Sequence, residues 1–78
     1  MWYRINGELI NLSRVVDIYI YGKADLVFVL DIPVSSAGGG DTFSIESHNA
    51  ESIITFSSTS KRDECFIKLA KVLDAKTL

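Results

Sequence analysis

The chain is short of the residues on which most chemistry depends: among 78 residues there is one cysteine, one histidine and one proline. Cys65 has no partner for an internal disulfide and no second thiolate for a metal pair, which fits a reducing compartment. Eight Lys and Arg against ten Asp and Glu leave a net charge of −2, and the nearest thing to a basic stripe is Lys61-Arg62. Phosphate backbones and anionic membranes are both held by clustered cations, so neither nucleic acid nor a membrane is an expected partner. No apolar run approaches the ~20 residues of a spanning helix. Met1-Trp2-Tyr3-Arg4 lacks the charged-then-apolar order of a signal peptide, so a cytoplasmic location is expected. Asn11-Leu12-Ser13 fits the glycosylation acceptor pattern, which has no consequence in a chain that is not secreted.

What the chain does have is enough apolar surface for a core. Hydrophobic residues make up 47% and charged residues 23%, a folded rather than a disordered composition. A chain of this size buries only roughly 60 to 65% of its unfolded surface. One domain over residues 1–78 is therefore expected.

Residues 15–32 carry the strongest pattern. Val16, Ile18 and Ile20 alternate with Val15, Asp17, Tyr19 and Tyr21; after Gly22-Lys23-Ala24-Asp25, Leu26, Phe28, Leu30 and Ile32 alternate with Val27, Val29 and Asp31. A period of two in β-branched and aromatic residues marks strands, and the Gly-containing connection suits an antiparallel hairpin. Upstream, Asn6-Gly7 is a two-residue hairpin signal joining strands at 2–5 and 8–10. Asn11-Leu12-Ser13-Arg14 makes a corner with Leu12 turned inward. Downstream, Pro33 is expected to end its strand by removing a ladder donor, and residues 35–41, rich in Ser and Gly, to form a mobile loop. Strands at 42–47 and 52–57 are expected to flank a turn at His48-Asn49-Ala50-Glu51.

The last segment changes period. Ser60 with Asp63 resembles a capping box, and Cys65, Phe66, Leu69, Val72 and Leu73 gather on one face of a helix that must lie on the sheet. Ile67 falls off that stripe and is expected to be part-exposed or to meet another chain. Lys61, Asp63, Glu64, Lys68, Lys71 and Lys76 occupy the wet side, with Glu64 and Lys68 in the favourable i, i+4 order.

Catalysis needs convergent groups with tuned pKa values, and the supply here is thin. His48 could act as a general base only with an orienting partner and a pocket; its place in a turn reads as a solvated residue. Cys65 near a helix start could be a nucleophile, yet its place on the apolar stripe reads as a small buried hydrophobe. Gly38-Gly39-Gly40-Asp41-Thr42 lacks the Lys-Ser/Thr and following helix of a phosphate loop. Asp25, Asp31, Asp41, Glu46 and His48 show no ligand spacing. The expectation is no enzyme, no cofactor and no metal.

The second face of the central hairpin says more. With Val16, Ile18, Ile20, Leu26, Phe28, Leu30 and Ile32 turned toward the helix, Val15, Tyr19, Tyr21, Val27 and Val29 face away, interrupted by Asp17 and Asp31. An apolar face of this kind marks a protein interface, with Trp2 at a nearby edge as a contributor. The competing expectation is a curved sheet that closes over these residues itself.

Trp2, Ile5, Asn6-Gly7-Glu8-Leu9-Ile10-Asn11-Leu12, Val15 or Val16 and Ile18-Tyr19-Ile20, followed by strands and an amphipathic helix, resemble a set of small uncharacterised bacterial and phage proteins. Those are strand-rich meanders closed by one helix, similar to the pleckstrin-homology-like fold. The resemblance implies a fold and brings no catalytic residues. The basic strand-loop cluster with which pleckstrin homology domains hold phosphoinositides is missing.

The expected fold is α+β, an antiparallel sheet or partly open barrel of five to six strands with one C-terminal helix. The expected function is a non-enzymatic module that self-associates, as a homo-oligomer, or docks another protein through Val15, Tyr19, Tyr21, Val27 and Val29. A phage accessory or inhibitor protein would be one such module. The alternative is a small-ligand or lipid-headgroup binding domain with residues 35–41 as a lid.

Overall fold

Asn6 and Gly7 both take up positive φ, 48° and 86°, the pairing that a two-residue type I′ turn requires. They fold β1 (Trp2–Ile5) back on β2 (Glu8–Asn11). The Asn11 side chain then accepts the Ser13 N–H at 3.1 Å and starts a single 3₁₀ turn, Leu12–Arg14, which buries Leu12 at the corner. From there β3 (Val15–Tyr21), β4 (Asp25–Ala37) and β5 (Ile45–Thr55) run antiparallel, with β4 in the centre. The computed structural model describes residues 1–37 and 45–78, and only the backbone of residues 34–37 and 45–48.

The architecture is α+β with antiparallel strands and one C-terminal helix, α1 (Thr59–Val72). The described strands number five and form two sheets, β1-β2 and β3-β4-β5, where one sheet or a partly open barrel was expected. The Asn11-to-Arg14 corner breaks the ladder, so the first hairpin stacks on the larger sheet and does not extend it. Ile5, Ile10 and Leu12 from the hairpin side and Leu69 from α1 meet Leu26, Phe28 and Ile54 in one core. Asn6 Nδ2 also donates to the Thr55 carbonyl at 2.7 Å, fastening the hairpin tip to the end of β5.

Two local expectations fail for identifiable reasons. Pro33 does not end its strand: it lies within β4 opposite Asn49. Pairing with β3 ends at Leu30, so Pro33 sits where one side of β4 has no neighbour and its missing N–H costs no ladder bond. Likewise residues 48–51 are strand, not turn, with His48 opposite Val34 and Glu51 opposite Val29. Residues 45–47 and 52–55 of the two expected strands thereby join in β5, while residues 42–44 lie outside the described residues. Residues 35–37 continue β4, while the rest of the expected 35–41 loop lies outside the described residues.

The helix cap is Ser58, two residues before the expected Ser60. Ser58 accepts the Lys61 N–H at 3.2 Å, and the Thr59 hydroxyl donates to the Lys23 carbonyl at 2.6 Å, which ties the first helical turn to the β3-β4 connection. Arg62 lies 5% exposed beneath that turn. Its Nη1 donates to the carbonyls of Asp25 at 3.2 Å and of Tyr21 and Gly22 at 3.5 Å, and its Nε pairs with Asp63 at 2.6 Å. The far end closes on Asp74 at φ 53°, with Asp74 N–H to Lys71 O at 3.2 Å and Ala75 N–H to Ala70 O at 2.9 Å. That bond pair is the Schellman arrangement. Cys65 and Phe66 are half-buried, whereas Val72 and Leu73, expected on the buried stripe, are exposed at the overhanging end.

Candidate functional site

The inner face of the β3-β4-β5 sheet is covered by the hairpin and the helix. Register fixes what stands on the other face, because paired residues in antiparallel strands project to the same side. Three rows cross the strands: Asp17-Val29-Glu51, Tyr19-Val27-Ile53 and Tyr21-Asp25-Thr55. At the roughly 4.8 Å strand spacing and 3.4 Å rise of such sheets, the rows define a patch about 10 Å by 14 Å at the backbone. Tyr19 is 39% exposed, Tyr21 56% and Ile53 55%. Val27, between Tyr19 and Ile53, is 1% exposed and forms the floor; Val29 is half-buried.

Of the five residues expected on this face, Tyr19, Tyr21, Val27 and Val29 are there. Val15 is not. It pairs with Leu30 while Asp17 pairs with Val29, so Val16 is an extra residue in β3. This bulge shifts the alternation by one at the start of the strand. Val15 consequently packs against the core and Val16 stands 60% exposed, the reverse of what unbroken alternation gives.

Sequence alternation placed Asp17 on this face but missed Ile53 and Glu51, because a residue on a distant strand joins the face only through register. Asp17 and Glu51 border the apolar row on one side and Asp25 borders it on the other. Among these nine positions there are three carboxylates and no cation. The charge is felt locally: partial desolvation at the sheet surface, and after it the Glu51 and Asp17 carboxylates and Tyr21, push the Tyr19 phenol above its ordinary pKa.

Apolar grooves lie elsewhere, and at the end of α1 a shallow one of about 510 Å³ is lined by Ile67, Ala70, Lys71, Asp74 and Thr77 among others. One of about 280 Å³ runs between the end of α1 and the start of β3, lined by Leu12, Val15, Ile18, Phe66, Ala70 and Leu73 among others. Another, about 320 Å³, lies between the hairpin and β4, where Trp2, Leu9, Ile10 and Ile32 line it together with the polar Asn11, Arg14 and Ser52. Trp2 therefore belongs to this groove. There, Arg14 is paired with Asp31 at 2.7 Å and Asn11 Oδ1 accepts from the Met1 amine and the Ser13 N–H, so these polar groups are held within the chain rather than turned to a small ligand.

The remaining chemical candidates do not converge. Cys65 is half-buried, and desolvation pushes its thiol above the ordinary value against a smaller opposing effect of Lys68; a thiol held protonated is a poor nucleophile. The His48 backbone lies in β5, and its side chain is outside the described residues. Among the described residues no group of three or more His, Cys, Asp or Glu is placed to hold a metal, and no helix is long and apolar enough to cross a membrane.

What the chain defines is a two-layer α+β domain with one sheet face covered and the other carrying tyrosines, aliphatics and acids. No family model, curated protein or solved structure matches it.

Proposed function

We propose that this protein is a non-enzymatic interaction module whose docking surface is the outer face of the β3-β4-β5 sheet. The observation that supports this reading is the row Tyr19-Val27-Ile53: two large, exposed side chains over an apolar floor, on a face that neither the hairpin nor the helix covers. Tyrosines supply wide contact area at low entropic cost, and an apolar centre with a polar border is the usual anatomy of a protein interface. The raised pKa of the Cys65 thiol, and the engagement of Arg14 and Asn11 of the hairpin groove within the chain itself, favour docking over catalysis or small-ligand capture.

Site-specific photo-crosslinking tests this reading in the cell that makes the protein. A benzophenone side chain placed at Tyr19 or at Ile53 is expected to give the same discrete adduct, identified by mass spectrometry, and one placed at Lys23 none. Absence of any position-specific adduct at both Tyr19 and Ile53 would overturn it.

A further inference from the structure

The proposed docking face cannot be matched to itself. Two copies laid face to face would bring six carboxylates together across an apolar seam with no cation on either side, and like charges at close quarters oppose association. The complementary charge lies on the opposite layer of the same molecule. Five of the eight Lys and Arg fall at residues 61–76, and the exposed side of α1 carries Lys61, Ile67, Lys68 and Lys71 beside two acids, Glu64 and the half-exposed Asp63, the latter already paired with Arg62 of its own chain. Ile67 is an apolar residue in the middle of this wet surface, and among the described residues it stands 55% exposed.

We infer that the occupant of the outer sheet face is the exposed side of α1 from a second copy of this chain, joined head to tail. This rests on the outer face being a docking surface and adds what docks there. The spacings agree. With Ile67 over the Tyr19-Val27-Ile53 row and the helix along the strands, Lys71 lies four residues on, about 6 Å away at 1.5 Å per residue. The Asp17-Val29-Glu51 row lies two strand residues on, about 6.8 Å away. Lys71 therefore arrives between the Asp17 and Glu51 carboxylates, with Lys68 beside it. Glu64 is screened by Lys61 and Lys68, its i−3 and i+4 neighbours on the same helix face.

Such a contact is heterologous: each copy offers one sheet face and one helix face, so association continues into a ring or an open chain. One short helix on a three-row patch buries less than the roughly 800 Å² per partner of a stable complex. The association is weak and salt-sensitive.

Sedimentation velocity between 50 µM and 1 mM tests it with two variants at exposed positions, Ile53→Lys on the sheet and Ile67→Lys on the helix. Wild type is expected to exceed its 8.6 kDa monomer mass at high concentration and to fall back in 0.5 M NaCl. Each variant alone is expected to stay monomeric. Their equimolar mixture is expected to form a capped dimer, because the helix of one still fits the sheet of the other, whereas the second pairing sets lysine against lysine. A wild type that is monomeric at 1 mM overturns the inference and leaves the docking face to the crosslinking test. Oligomers dissolved by Ile53→Lys and untouched by Ile67→Lys overturn the choice of helix while keeping the face. Oligomers that neither variant dissolves overturn both, and a mixture that stays monomeric overturns the head-to-tail geometry.

Discussion

Arg62 is the residue whose replacement should disturb this fold most for its size, because it joins the helix start to the turn that ends β3. In Arg62→Met most of the buried stem is kept and the guanidinium is lost. The 3.2 Å bond to the Asp25 carbonyl is charge-assisted and worth about 1.5 to 3 kcal/mol. The two 3.5 Å contacts to Tyr21 and Gly22 are at the limit of hydrogen-bonding distance and add little. The pair with Asp63, whose carboxylate is half exposed, adds about 0.5 kcal/mol after screening. Against these stands the desolvation of a buried cation, which Met does not suffer. A net loss of about 2 kcal/mol is expected, or roughly 8 to 16 °C in Tm for a domain of this size. Arg62→Ala should cost about 1 to 2 kcal/mol more through the missing methylenes. Urea unfolding followed by far-UV circular dichroism reads both values. If Arg62→Met unfolds within 0.5 kcal/mol of wild type, desolvation cancels the hydrogen bonds and the pin does not stabilise the fold. Because the Asp25 and Tyr21 carbonyls are among its acceptors, the same variant should also shift the Leu26 and Gly22 amide resonances, whose N–H groups share those peptide units.

The bulge predicts an inversion: Val15→Thr should lose about 1 to 2 kcal/mol by turning a hydroxyl toward the core, while Val16→Thr stays within about 0.5 kcal/mol; urea midpoints in the reverse order would refute the observed register. The raised pKa values of Cys65 and Tyr19 set the sign of the alkaline response. Both groups keep their protons longer when folded, so stability is full below the unfolded thiol pKa of about 8.5 and falls as pH rises through the thiol and then the phenol range. Urea midpoints from pH 7 to 11 should therefore decline, Cys65→Ser removing the first part and Tyr19→Phe the later part; a rise over that interval would contradict the assigned causes.

Local pattern made the strands and the helix legible because each depends on near neighbours: alternation in β3 and β4, Asn6-Gly7 at the first turn, the 65-66-69 spacing in α1. It misread Pro33 and residues 48–51, since whether a proline or a polar run stays in a strand depends on which neighbours flank it. The same holds for Arg62, whose burial no periodicity signals, because its hydrogen-bonding partners are carbonyls about 40 residues away in the chain.

The amino-acid order by itself determined that two apolar strands and a basic amphipathic helix exist and that Tyr19, Tyr21, Val27 and Val29 share one side of them. Tertiary structure alone decided that Val15 turns inward at a bulge, that Ile53 and Glu51 of β5 complete an acidic, apolar face, and that the hairpin of β1 and β2 covers the other side. The reason is physical: side-chain direction within a strand follows from local backbone geometry, whereas membership of a face follows from register between strands, which only long-range pairing sets.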